Sequence, residues 1–97
     1  MRALVLKSVK ELELSNDFPK PKITKKEVLI KVKCCGICGS DVEAYQYGKY
    51  LMPVILGHEF SGEIEEIGAE VVGWNRGDRV TAYPGEFCGK CFYCKDR

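Results

Sequence analysis

The sequence predicts a mainly β domain of short, mostly antiparallel strands with one short helix, curling into a barrel. Three observations carry that expectation. Aliphatic and β-branched residues come in short runs, several of them alternating with polar residues. Ten glycines and four prolines cut the 97 residues into short pieces, which suits strands and turns better than long helices. Only one stretch, opening at Ser40, carries a helix-start pattern.

Ala3-Leu4-Val5-Leu6 reads as the first strand, and Glu11-Leu12-Glu13-Leu14 alternates as a half-buried second strand does. From Asn16 to Lys26, Pro19 and Pro21 sit among lysines, giving an extended connector that resists helix. The clearest strand follows: Val28, Ile30, Val32 and Cys34 are expected on one face, Lys31 and Lys33 on the other. Cys34 is therefore expected in the core. Gly36 to Gly39 break the strand, and Ser40 with Glu43 three residues later is a capping-box pattern. The helix it starts should run to about Tyr47 and stop at Gly48. Phe60 to Ile67 reads as another strand, with Phe60, Gly62 and Ile64 on one face; a glycine inside it signals a bulge or a close backbone approach. Val71-Val72 and Arg79 to Ala82 are expected as short strands on either side of an Arg76-Gly77-Asp78 turn.

The length fits one small domain with a modest core. Fifteen basic and fourteen acidic residues nearly cancel, so no charge pattern points to nucleic acid or to an anionic membrane. No apolar run approaches the roughly 20 residues that span a bilayer, and the first residues do not form a secretory signal. The expected compartment is the cytoplasm, where clustered cysteines more often bind metal or do chemistry than form disulfides.

Two groups of residues carry such chemistry. Cys88, Cys91 and Cys94 form a C-x2-C-x2-C run, a spacing that turns thiolates towards one ion. Tetrahedral structural zinc takes four such ligands; a fourth would come from Cys34 or Cys35, from solvent, or from residues outside the 97. An iron–sulfur reading needs a further cysteine four residues after Cys94. The second group is Cys38, His58 and Glu59, the histidine being the only one in the chain. All three side chains are competent zinc ligands, Cys38 after a strand end and His58 and Glu59 ahead of another strand; ligands from separate loops suit a catalytic site with a position left open. Taken alone, a single histidine is more often a hydrogen-bonded structural residue, and a single cysteine a small buried hydrophobe.

Cys35-Gly36-Ile37-Cys38-Gly39-Ser40-Asp41, then Gly57-His58-Glu59-Phe60-Ser61-Gly62-Glu63, then Gly77-Asp78-Arg79-Val80, then the cysteine run, occur in this order in the zinc-containing medium-chain alcohol dehydrogenases. Over essentially its whole length the chain resembles the N-terminal, GroES-like catalytic domain of that family, and within it the polyol (sorbitol-type) and threonine dehydrogenases. The resemblance implies a GroES-like, partly open β-barrel with one or two short helices over residues 1–97. It implies that Cys38 and His58 hold a catalytic zinc, with Glu59 a direct ligand as in polyol-type members or close behind the metal as in others, and a further Cys or Glu ligand from beyond position 97; the zinc acts as a Lewis acid on an alcohol oxygen while the carbon gives hydride to NAD or NADP. Ser40 matches a hydroxyl that relays the alcohol proton, although a capping role alone accounts for a serine there. Asp41 matches a carboxylate that orients the histidine, although a negative charge is also favourable in a helix's first turn. Glu43 stands where many relatives carry a histidine that passes the proton to solvent; a glutamate there either does the same or only completes the capping box, which leaves the proton's exit path open. Cys88, Cys91 and Cys94 match three of four ligands of a structural zinc.

The chain has no G-x-G-x-x-G fingerprint after a strand, so the nicotinamide-binding Rossmann domain is expected outside it. The expectation is thus an N-terminal fragment, inactive by itself, of an enzyme oxidising a secondary alcohol of a polyol, sugar or hydroxy-amino acid. The full-length protein would be a homodimer or homotetramer, with a small-molecule alcohol as its partner and neither nucleic acid nor membrane. The alternative is a zinc-binding GroES-like module without catalysis.

Overall fold

The computed structural model describes residues 1–95. Six strands and two short helices follow one another: β1 (Ala3–Ser8), β2 (Glu11–Ser15), β3 (Val28–Cys35), α1 (Gly39–Tyr47), β4 (Val54–Ile55), β5 (Phe60–Ile67), β6 (Arg79–Thr81) and α2 (Phe92–Lys95). They form two three-stranded antiparallel sheets, ordered β2-β1-β4 and β3-β5-β6. This is the mainly β, partly open architecture expected, with two short helices.

The core is thin. Ala3, Val5, Leu6, Leu29, Ala44 and Ile64 are its buried apolar residues, and Leu6 alone among the larger side chains is fully enclosed. Strand pairing therefore matters as much as burial in setting positions near the β3–β5 end. β5 runs between β3 and β6, with Gly62 opposite both Val32 and Val80. Gly62 makes the close approach its sequence position signals: a Cβ there would collide with the Lys31 carbonyl oxygen. The expected face of β5 is found, with Gly62 and Ile64 buried and Phe60 half-buried.

Helix α1 is held at both ends. Its C-terminus closes on Gly48, which adopts the left-handed conformation (φ 73°) and returns its amide to the Ala44 carbonyl. The turn between β1 and β2 docks there too, the Lys10 amide donating to the Tyr45 carbonyl at 2.8 Å.

Four local expectations need correction. First, the cap of α1 is Cys38 and not Ser40: Cys38 is extended (φ −90°, ψ 157°), and its amide donates to Asp41 Oδ2 at 3.0 Å. Glu43 turns away to Lys49, 3.4 Å off. Second, the inward residue of β3 is Leu29, while Val32 and Cys34 are exposed. Register shifts between Leu29 and Ile30 and between Val32 and Cys34 break the simple alternation. Third, Leu12 and Leu14 of β2 are exposed, because no other element covers either face of this edge strand. Fourth, Val71-Val72 forms no strand: the Val71 amide closes a turn onto the Gly68 carbonyl, and Gly73 follows at φ 84°. The turn over Arg76 and Gly77 is present, and β6 ends at Thr81, one residue before Ala82.

Candidate metal centres

The residues around His58 are positioned by the far end of the β3-β5-β6 sheet. Cys35 pairs with Phe60, the Gly36 amide donates to the Glu59 carbonyl at 2.7 Å, and Thr81 Oγ donates to the Phe60 carbonyl at 2.6 Å. The start of β5 is thus gripped from both neighbouring strands, which fixes where His58 and Glu59 leave it. Gly57 just before them has φ 114°, a conformation glycine adopts without strain. A Cβ at Gly57 would also lie 2.7 Å from Cys35 Sγ. On the facing side, the chain leaves β3 through Gly36 and Ile37 and enters α1 at Cys38.

These two turns bring Cys38, His58 and Glu59 together, with one potential ligand atom from each lying within 4.8 Å of the others. Cys38 and His58 are half-buried and Glu59 is exposed. Asp41, buried at the first turn of α1, reaches both half-buried members at once. Its Oδ2 accepts the Cys38 amide at 3.0 Å, and its Oδ1 lies 3.6 Å from His58 Nδ1. One carboxylate therefore caps the helix, fixes the backbone of the cysteine and faces the imidazole. Ser40 is half-buried in the same first turn; with Cys38 as the cap, its hydroxyl has no capping duty.

The second cluster is built within seven residues. Cys91 Sγ lies 3.4 Å from Cys94 Sγ, and Cys88 Sγ lies 3.8 Å from it. A tetrahedral ion with zinc–sulfur bonds of about 2.3 Å has sulfur–sulfur edges of about 3.8 Å, so this spacing suits zinc. The amides of Lys90 and Cys91 both point at Cys88 Sγ, at 3.4 and 3.3 Å. They are the main cause of a lowered Cys88 pKa, about 7 against the ordinary 9.0; the thiols of Cys91 and Cys94 add to it. Cys88 and Cys91 are exposed, and Cys94, on α2, is half-buried.

All six cysteines are free, and Cys34 and Cys35 join neither cluster. Sequence reasoning missed the grip of Asp41 on the Cys38 amide, although an aspartate three residues after a would-be cap is its signal. It also missed Thr81, whose hydroxyl reaches another strand and leaves no local trace. Among the described residues no helix is long and apolar enough to cross a membrane.

Residues 24–97 match the alcohol dehydrogenase GroES-like domain. The chain belongs to that family. It is 44% identical to sorbitol dehydrogenase of Bacillus subtilis over 99% of its own length, and spans 28% of that protein. It is 42% identical to L-threonine 3-dehydrogenase of Rhizobium etli over 98% of its length, spanning 29% of that protein. The solved structure of zinc dependent alcohol dehydrogenase 2 from Streptococcus pneumonia superimposes with a TM-score of 0.84 at 30% identity, over 99% of this chain and 28% of that one.

Proposed function

We propose that this GroES-like domain is the N-terminal catalytic portion of a zinc-dependent NAD(P) dehydrogenase that oxidises a secondary alcohol of a polyol, sugar or hydroxy-amino acid. The observation that carries the reading is the convergence of Cys38, His58 and Glu59 within 4.8 Å. A thiolate, an imidazole and a carboxylate form a donor set that zinc accepts. Three protein donors leave room for substrate, and two of them are half-buried rather than displayed on the surface.

Zinc held there supplies a Lewis acid to an alcohol oxygen. The chain's own residues do the rest. Asp41 Oδ1 favours the tautomer with the proton on His58 Nδ1, which leaves the Nε2 lone pair for the ion. The same carboxylate anchors the Cys38 backbone, so the two half-buried donors keep their separation. Ser40, with its hydroxyl released from capping, takes the alcohol proton onward. Glu43, paired with Lys49 on an exposed face, stands towards solvent, where the proton leaves.

Cys88, Cys91 and Cys94 hold a structural zinc with one further ligand. Free cysteines throughout fit a reducing, cytoplasmic setting. The nicotinamide site belongs to a Rossmann domain outside these residues, through which the full-length protein forms a homodimer or homotetramer.

The test is full-length protein with zinc confirmed, assayed with NAD and with NADP against polyols, sugar alcohols and hydroxy-amino acids. Reduction of a nicotinamide by at least one secondary alcohol is expected. No reduction across the panel contradicts the proposal and favours a zinc-binding module without catalysis.

A further inference from the structure

Gly36 joins the end of β3 to the turn that carries Cys38. Its backbone does not require glycine, because its φ lies outside the left-handed region in which Gly48 and Gly57 are held. Its amide bond to the Glu59 carbonyl is one that any residue except proline makes. What a side chain would meet at this position is Glu59. A Cβ on Gly36 falls 3.0 Å from Glu59 Oε2, 3.4 Å from Glu59 Cβ and 3.5 Å from its carbonyl oxygen. Only the contact to Oε2 is too close, and Oε2 is the free end of a rotatable side chain. The carboxylate gives way before the paired strands do. Gly39, three residues on, is the contrast, since a Cβ there meets nothing within 4 Å.

We propose that Gly36 is a positioning residue for the Glu59 carboxylate. Its bare Cα is the surface on which that carboxylate lies beside Cys38 and His58, and a methyl group at position 36 pushes the oxygen a few tenths of an ångström from its place in the cluster. The inference rests on the reading of Cys38, His58 and Glu59 as holding one divalent cation.

Cadmium NMR of the cadmium-loaded chain tests it, because a one-sulfur site and a three-sulfur site give separate resonances. The set is wild type, Gly36→Ala, Glu59→Gln, the double variant and Gly39→Ala, with cadmium affinity measured for each. Gly36→Ala is expected to move the one-sulfur resonance in the same direction as Glu59→Gln and to weaken cadmium binding about tenfold, the low end for residues behind a ligand. The double variant should match Glu59→Gln alone, while Gly39→Ala and the three-sulfur resonance stay at their wild-type positions. A Gly36→Ala resonance at the wild-type position, beside a shifted Glu59→Gln resonance, overturns the inference and leaves the metal reading intact. Additive effects in the double variant overturn it too, as does loss of the β3–β5 ladder in amide exchange of Gly36→Ala. A Glu59→Gln resonance that does not move overturns the reading beneath, because Glu59 then holds no ion.

Discussion

The two clusters are made in opposite ways. Cys88, Cys91 and Cys94 lie within seven residues, and the amides that support Cys88 Sγ come from Lys90 and Cys91 in the same loop. Cys38, His58 and Glu59 come from two turns twenty residues apart in sequence. They meet only because β3, β5 and β6 pair and because Asp41 ties the helix start to the imidazole. A local cluster needs little of the fold. A tertiary cluster reports on all of it, and two of its three candidate donors are half-buried.

The largest difference should come from removing a donor. Cys38→Ala in the full-length protein is expected to lower kcat/KM by about a thousandfold or more, since a Lewis acid supplies several kcal/mol of transition-state stabilisation. Zinc held by the three-cysteine cluster should stay. Cys91→Ser should do the reverse, emptying the local cluster while zinc at His58 remains; a loss of both metals in either variant would break the contrast.

Asp41→Ala comes next. It is expected to weaken metal at the His58 cluster about 10- to 100-fold and to cost the domain about 1 kcal/mol through the lost cap. A metal titration paired with a urea melt reads both. Binding at the three-cysteine cluster should be untouched.

Unfolding separates the clusters by mechanism. Leu6→Ala is expected to destabilise the domain by about 2–5 kcal/mol, as for other enclosed leucines. In urea its metal at His58 should be released at lower denaturant than in wild type, together with the loss of strand signal. Metal at Cys88, Cys91 and Cys94 should be released at the same urea concentration in both proteins.

The smallest effect concerns protonation. Because the Lys90 and Cys91 amides lower the Cys88 pKa to about 7, its thiolate persists to lower pH than an ordinary thiol. Alkylation of the metal-free chain at pH 7 should therefore modify Cys88 several-fold faster than a small free thiol of ordinary pKa, and the advantage should vanish as pH rises past 9. Equal rates at pH 7 would show that the amides do not hold the sulfur.

Much of this was legible from neighbours in sequence. β5 runs from Phe60 to Ile67 as its alternation predicts, and Gly48 stops α1 because a left-handed cap is a local requirement. What was not legible depended on distant partners. Ser40 with Glu43 and Cys38 with Asp41 are competing three-residue pairings; the helix starts on the second, with Glu43 beside Lys49 and His58 beside Asp41. Cys34 turned outward because β3 shifts register against β5, and Val71-Val72 yielded its strand preference to the turn that follows Gly68. The two candidate clusters were nameable from spacing and family resemblance, whereas the reach of Asp41 and the contact of Gly36 with Glu59 needed coordinates.

The central claim is that the domain assembles a mixed-donor zinc site from separate turns. Zinc-edge X-ray absorption on the chain carrying Cys88→Ser, Cys91→Ser and Cys94→Ser tests it most directly. One sulfur at about 2.3 Å with nitrogen and oxygen at about 2.0–2.2 Å is the predicted shell. Zinc that does not stay bound, or a shell with no sulfur, would contradict it.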